Sequence, residues 1–423
     1  MAKNNIIDVV CFGKEIGKLG FDENENKSFF QYHPDFLKEN SYPNLFPDTG
    51  IIKRTPQMQV FSKYNSETFR GLPPVIADSL PDIFGNIIFK AWLESSQKNF
   101  NQISVIEQLA YVANRGMGAL EYKPSKHIPN NTSIDINEIT EVLKKVLSNK
   151  TNTYSEELNS KALLNIFKIG TSAGGARPKI LISEHKNSGR IIPGDINYSN
   201  DYNHYLVKLS IDEGLGYNRE LIEYSYYLTA QRLNITMMPS KLIDNKHFAT
   251  LRFDRKEGKK IHTLTATGIT GWDFKNPEVS SYENLFELAI FLKIPHKEIE
   301  ELFKRMVFNI VFCNSDDHLK NHSFIYNEQT DKWNNSPAYD LTYALNPLMN
   351  YKRTSRALSV NNKRVDITLK DVLTLADNYT IKNAQGIVNE VQQATTLWEN
   401  YVMELELPIH IINSIKKDFC KLT

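Results

Sequence analysis

Asn314-Ser315-Asp316-Asp317-His318-Leu319-Lys320-Asn321 is the stretch on which the reading of this chain turns. It follows an apolar run, Met306 to Cys313, that is far too short to span a bilayer and reads as a buried helix. It precedes the strand-like Ser323-Phe324-Ile325-Tyr326. Four residues separate Asp316 from Asn321, the Asp-x4-Asn spacing of a phosphoryl-transfer loop. In that chemistry the Asp accepts or orients the acceptor hydroxyl and the Asn oxygen holds a metal ion. A second carboxylate follows in Pro337-Ala338-Tyr339-Asp340, and Mg²⁺ prefers such hard oxygen ligands. Asp and Asn also crowd into ordinary turns, so the loop needs support from elsewhere. His318 and His322 raise zinc as an alternative, disfavoured because no helix is expected to carry the pair.

Three upstream features supply that support. Ser172-Ala173-Gly174-Gly175-Ala176-Arg177-Pro178-Lys179 leads into a strand, and paired glycines let backbone N–H groups approach phosphate oxygens. Lys208 stands in an otherwise apolar strand, Leu206-Val207-Lys208-Leu209. An ammonium buried there requires a partner, and phosphates with Glu220 or Glu223 of the next helix would provide one. Ala249 to Arg255 then ends a strand where backbone groups of a hinge would meet an adenine. A glycine turn, a snorkelling lysine and a surface strand end are the plain readings of the three taken singly. Their order along the chain is that of a kinase.

Around these motifs, 423 residues exceed one ordinary core and predict two or three packed units. A composition of 41% hydrophobic and 23% charged residues, with mean hydropathy −0.41, excludes a disordered or fibrous chain. A net charge of +1 gives no general pull towards nucleic acid or membrane. The start lacks a signal-peptide core. The three cysteines have no metal or disulfide spacing, so a reducing cytoplasm is the expected location. Ser79 is expected to cap a helix running to Trp92 and Leu93, with Asp82 reaching back. A hairpin is expected across Asn187-Ser188-Gly189. Asn218 to Leu233 predicts an amphipathic helix with Leu221, Tyr224 and Leu228 on its apolar face, and helices are expected over 283–291 and 298–311. Lys352, Arg353, Arg356, Lys363 and Arg364 form a basic cluster, read as a solvated face rather than a contact for DNA phosphates.

Taken together these residues resemble the HipA family. The likeness rests on Lys179, Lys208, Arg252-Phe253-Asp254-Arg255, Asp316 to Asn321 and Tyr339-Asp340, and on Gly71-Leu72-Pro73-Pro74 through Trp92 near the start. It implies an α+β, protein-kinase-like bilobal fold with a mixed α/β N-terminal part and an all-helical C-terminal lobe. The implied divisions are an N-terminal module over 1–100, a small lobe over 101–255 and a large lobe over 256–423. It implies an ATP- and Mg²⁺-dependent serine/threonine kinase, the toxin of a toxin–antitoxin pair, with Asp316 as catalytic base and Asn321 and Asp340 as metal ligands. Gly174, Gly175, Ala176, Arg177, Pro178, Lys179, Lys208, Leu251, Arg252, Phe253, His318, Leu319, Lys320, Asn321, Tyr339 and Asp340 would line the nucleotide. Ser172 matches an autophosphorylated loop serine. The implied partners are a HipB-like helix-turn-helix antitoxin, operator DNA through that complex, and a substrate such as glutamyl-tRNA synthetase, with no membrane. Two positions depart from the pattern. Leu251 replaces a common acidic residue, and Arg177-Pro178 replaces polar ones. A small-molecule phosphotransferase and a catalytically weak co-repressor are the alternatives.

Overall fold

At Phe12 and Gly13 the chain turns with φ of +50° and +75°, the two positive values that a two-residue hairpin loop requires. The turn joins strands Ile6–Cys11 and Lys14–Asp22. In the computed structural model, which describes residues 5–81, 83–95, 99–126, 135–148, 177–194, 199–211, 216–345 and 355–423, this hairpin is the centre of a five-stranded antiparallel sheet. Its order is Gln59–Phe61, Lys27–Tyr32, Lys14–Asp22, Ile6–Cys11, Leu120–Lys123. Alternate residues Ile7, Val9 and Cys11, then Phe30 and Tyr32, and Leu120 and Tyr122 are buried, the period-2 pattern of a half-covered sheet. Helix Val105–Val112 packs on it, its start fixed by a capping box in which Ser104 and Glu107 satisfy each other's backbone N–H.

The sheet belongs to one of two compact units, Met1–Ile211 with Ala249–Leu264. A second sheet in that unit runs Ile191–Pro193, Lys179–His185, Tyr202–Lys208. Gly189, at φ +67°, closes the expected hairpin, with His185 N–H on the Arg190 carbonyl at 2.9 Å. Arg252 N–H on the His204 carbonyl at 2.8 Å carries the ladder to the chain's return.

There the Arg252-Phe253-Asp254-Arg255 segment is pinned by charge. Arg252 grips Asp254 with Nε and Nη2 at 2.9 and 2.8 Å. Arg255 adds Nη1 at 2.7 Å and donates to the carbonyls of Gly118 and Gly116. Gly118 N–H returns a bond to Asp254 at 2.8 Å. Burial pushes the Asp254 carboxyl up, but the two guanidiniums outweigh it and hold it well below the usual range. Gly118, at φ +74°, lies so close to Thr263 that a Cβ would stand 3.0 Å from its carbonyl oxygen.

The other unit is Asp212–Phe248 with Thr265–Thr423. Helices Arg219–Arg232, His296–Val311 and Ala384–Glu404 form its core. Tyr226 and Trp398 are wholly buried among Phe308, Phe312 and Phe419. The expected buried face of helix Arg219–Arg232 is corrected. Leu221, Tyr224 and Leu228 are only half-buried, and the hidden face carries Ile222, Ser225, Tyr226, Thr229 and Ala230. Its polar groups are satisfied locally: Ser225 donates to the Ile222 carbonyl and Thr229 to that of Ser225. Tyr226 donates to the Phe312 carbonyl and Trp398 Nε1 to Ser225 Oγ.

Two further expectations change. The C-terminal part is not all-helical, because Ser323–Asn327 and Lys332–Asn335 pair as a hairpin. Phe324, Tyr326 and Trp333 are buried, and the Asn327 side chain holds the turn by accepting from Gln329 and Thr330. Ser79 does not stand at the helix start: its hydroxyl takes the Tyr122 phenol at 2.7 Å, and the helix spans Ile83–Ser95. Asp82 lies outside the described residues. Among the described residues no helix is long and apolar enough to cross a membrane.

His262 of the first unit is wholly buried, and burial pushes its pKa down to about 3. The unfolded chain takes that proton near pH 6.5 and the folded chain does not. This contribution is complete above about pH 6.5 and is lost as pH falls towards 3, at about 1.4 kcal/mol per pH unit. Urea midpoints taken between pH 7 and 5 should fall, and fall less steeply in His262→Leu; identical slopes would exclude this histidine as a cause.

Candidate functional site

Lys179 and Lys208, separated by 29 positions, are direct partners across their antiparallel strands. Opposed residues of such a pair project on the same face. Both lysines are nearly buried, at 3% and 5% exposure, so two positive charges converge on one place. Pro178 sits beside them, its carbonyl accepting from Leu209 at 3.0 Å. Ser172, Gly174, Gly175 and Ala176 lie outside the described residues. Leu251 and Phe253 are half-buried, while the Arg252 side chain is committed to Asp254. Arg252 thus has a structural task that its motif position did not announce.

In the second unit, helix His296–Val311 ends with Cys313 at φ +53° and Asn314 N–H on the Asn309 carbonyl. The chain then enters the 314–321 loop. Ser315 donates its N–H to the Ala344 carbonyl and accepts the Ala357 N–H on its own carbonyl, holding the loop's first turn from two sides. Asp316 is half-buried; Asp317 is 1% exposed. Asn321 Nδ2 donates to the Asp316 carbonyl at 2.9 Å. That bond ties the two ends of the Asp-x4-Asn spacing together and turns Asn321 Oδ1 the other way. Tyr339 donates to the Lys320 carbonyl at 2.8 Å and shares a 2.5 Å bond with Ser323. Asp340 stands at φ +55°, its carbonyl taken by Asn314 Nδ2 at 3.1 Å. Asp tolerates this left-handed conformation better than most residues. His318 and Lys320 both rest on the Phe274 ring, at 4.8 and 5.6 Å from its centre. Leu319 is buried.

Beneath the loop lies a polar network. Asp317 accepts from the Tyr282 phenol at 2.5 Å and from Arg356 Nη2. Arg356 also donates to the carbonyls of Asn309 and Asn314 at 3.0 and 3.1 Å. Asn309 joins Tyr282 to Asn314 through its amide. Burial pushes the Asp317 carboxyl up against the pull of Arg356. Burial likewise lifts Tyr282 well above the usual phenol value, which keeps it a donor. The basic cluster is therefore corrected where it is described. Arg356 is buried in this network, Arg364 donates to four backbone carbonyls, and Lys363 pairs with Asp371 at 2.9 Å. Lys352 and Arg353 lie outside the described residues. Among the described residues no group of three His, Cys, Asp or Glu is placed to hold a metal.

Comparison with known families settles the relationship. The HipA-like C-terminal domain model matches residues 171–398 and the HipA N-terminal domain model matches 7–123. The chain belongs to the HipA family. The HipA chain from the Shewanella oneidensis MR-1 toxin–antitoxin complex of HipA, HipB and operator DNA shares its fold. That likeness has a TM-score of 0.63 at 15% identity, covering 97% of this chain and 95% of that one. The Helicobacter pylori proinflammatory kinase CtkA aligns with 49% of this chain and 93% of its own, at TM-score 0.28 and 13% identity. No curated protein sequence matches the chain.

Within this HipA-family chain, sequence reasoning missed Tyr282, Asn309 and Arg356. The one visible signal was Arg356 within Ser355-Arg356-Ala357-Leu358, a charge among small and apolar neighbours. Removing the carboxylate of a buried pair leaves its partner uncompensated, at a cost of about 3–5 kcal/mol. Asp317→Asn should lose that much in a denaturant titration and Asp316→Asn far less. Equal losses would show that the two carboxylates are not divided in this way.

Proposed function

We propose that this chain is a Mg²⁺-ATP-dependent serine/threonine protein kinase. The observation that carries the reading is the bond from Asn321 Nδ2 to the Asp316 carbonyl, which holds a candidate base and a candidate metal ligand at the two ends of one loop. The donor set fits magnesium: Asn321 Oδ1 and the Asp340 carboxylate are hard oxygens, and both residues are anchored to the 314–321 loop. When bound, the ion would neutralise charge on the phosphates. The opposed Lys179 and Lys208 place two ammonium groups on one face of the ladder, an arrangement that suits a polyanion. Backbone groups of Leu251 to Phe253 are assigned to the base, and His318, Leu319, Lys320 and Tyr339 to the walls of the nucleotide site. Asp316 takes the proton of the acceptor hydroxyl.

The rest of the proposal follows from the family. The chain is the toxin of a pair with a HipB-like helix-turn-helix antitoxin, and it reaches operator DNA through that complex. The assigned acceptor is a serine or threonine of an aminoacyl-tRNA synthetase, with glutamyl-tRNA synthetase the first to try. Labelled ATP incubated with the protein and that synthetase tests both steps. Asp316→Asn should bind Mg²⁺-ATP, keep the wild-type far-UV spectrum, and lose about 10²- to 10⁴-fold in transfer. Transfer within threefold of wild type would remove Asp316 from the chemistry.

Ser172 is assigned as a self-inactivation site. A phosphate there brings about −1.5 to −2 charges, which repel the triphosphate from the neighbouring Gly174-Gly175 pair. The active protein should slowly gain one phosphate at Ser172 and lose nucleotide affinity in step, while Ser172→Ala keeps binding. Mass spectrometry that finds Ser172 unmodified after prolonged turnover would refute the assignment.

A further inference from the structure

Under the 314–321 loop is a cavity of about 10 Å³ lined by Arg305, Asp317, Asn321, His322 and Tyr339 among others. That is about the 10–15 Å³ a single water needs. Two buried atoms of its lining make no hydrogen bond within the protein: Asp317 Oδ1 and His322 Nε2. Their residues are 1% and 8% exposed. Asp317 Oδ1 is an acceptor, and a histidine ring nitrogen donates or accepts according to its tautomer; a water, which carries two hydrogens and two lone pairs, serves either arrangement. Arg305, on the same wall, uses Nε and Nη2 on Glu301 and one Nη1 hydrogen on Ser336, leaving two of its five N–H groups to donate.

We propose that one water molecule is built into this cavity, donating to Asp317 Oδ1, bonding His322 Nε2 and accepting from Arg305. Asp317 follows Asp316 and His322 follows Asn321. The water is thus a strut between the two ends of the loop, and His322 is a positioning residue for the Asn321 oxygen. Its presence is independent of the kinase reading; its effect on metal use rests on that reading.

The test pairs diffraction with kinetics. A crystal structure of the full chain at about 1.8 Å should show a peak within about 2.6–3.2 Å of both Asp317 Oδ1 and His322 Nε2. His322→Phe should expel it, and His322→Gln, which keeps a hydrogen-bonding group, should retain it. If the chain transfers phosphate, the Phe variant should need on the order of tenfold more Mg²⁺ for half-maximal rate, the worth of one lost bond, and the Gln variant should restore it. A dry or collapsed wild-type cavity overturns the proposal whatever the activity. A water present with unchanged Mg²⁺ dependence in His322→Phe overturns the positioning role. A water present in a chain that transfers no phosphate counts against the kinase reading alone.

Discussion

One buried guanidinium holds the floor of the 314–321 loop. Arg356 reaches the carbonyls of Asn309 and Asn314 and the carboxylate of Asp317, so it joins a helix end, the loop entrance and the loop's interior in one set of bonds. A charge so placed is costly to desolvate and is tolerated only when fully partnered. That condition works as a constraint on position. If Asn314 or Asp317 moves away, the guanidinium loses a partner where no solvent replaces it. Tyr282, at the start of helix Tyr282–Phe291, and Asn309, near the end of helix His296–Val311, close the network, and the Asp340 carbonyl is attached through Asn314. The loop's precision comes from beneath, from residues that touch no ligand in the reading given above.

The first unit uses the same device with the signs exchanged. There a buried carboxylate, Asp254, is the centre, gripped by Arg252, Arg255 and the Gly118 N–H. It ties the strand end at 252–255 to the 116–118 segment that precedes the last strand of the first sheet. Lys260 adds a second tie, to Glu121 at 2.7 Å and to the Asn114 carbonyl. The family's Arg-Phe-Asp-Arg motif therefore carries an architectural load in its charged residues. What it leaves for a ligand is backbone and the half-buried Leu251 and Phe253.

How far the sequence could be read follows from these two clusters. Local signals were legible where the physics is local. The Asn187-Ser188-Gly189 turn, the helices around 283–291 and 298–311 and the buried run at 306–313 all follow from turn chemistry and periodicity. Failures came where a polar group's partner is remote in sequence. Ser79 resembled a cap because Tyr122, its real partner, is 43 positions away. The face of helix Arg219–Arg232 was misassigned for a local reason instead: Ser225 and Thr229 bond that helix's own carbonyls, so polar residues are hidden there. Arg356 resembled a surface charge because Asp317 stands 39 positions earlier. Spacing found the Asp-x4-Asn pair but not what supports it.

The adjacent carboxylates make the same point at the smallest scale. Asp316 and Asp317 are chemically identical and consecutive, so neither composition nor spacing separates them. The loop separates them by facing. Asp317 is turned inward onto a guanidinium and a phenol and is 1% exposed. Asp316 is half-buried, with its carbonyl fixed by Asn321. Committing one carboxylate to the network positions the other without requiring it to bond the floor. On the proposed assignment of Asp316 as base, the group that gains and releases a proton is kept apart from the anchor, whose charge is fixed by its partners. The pair divides what a single aspartate could not combine.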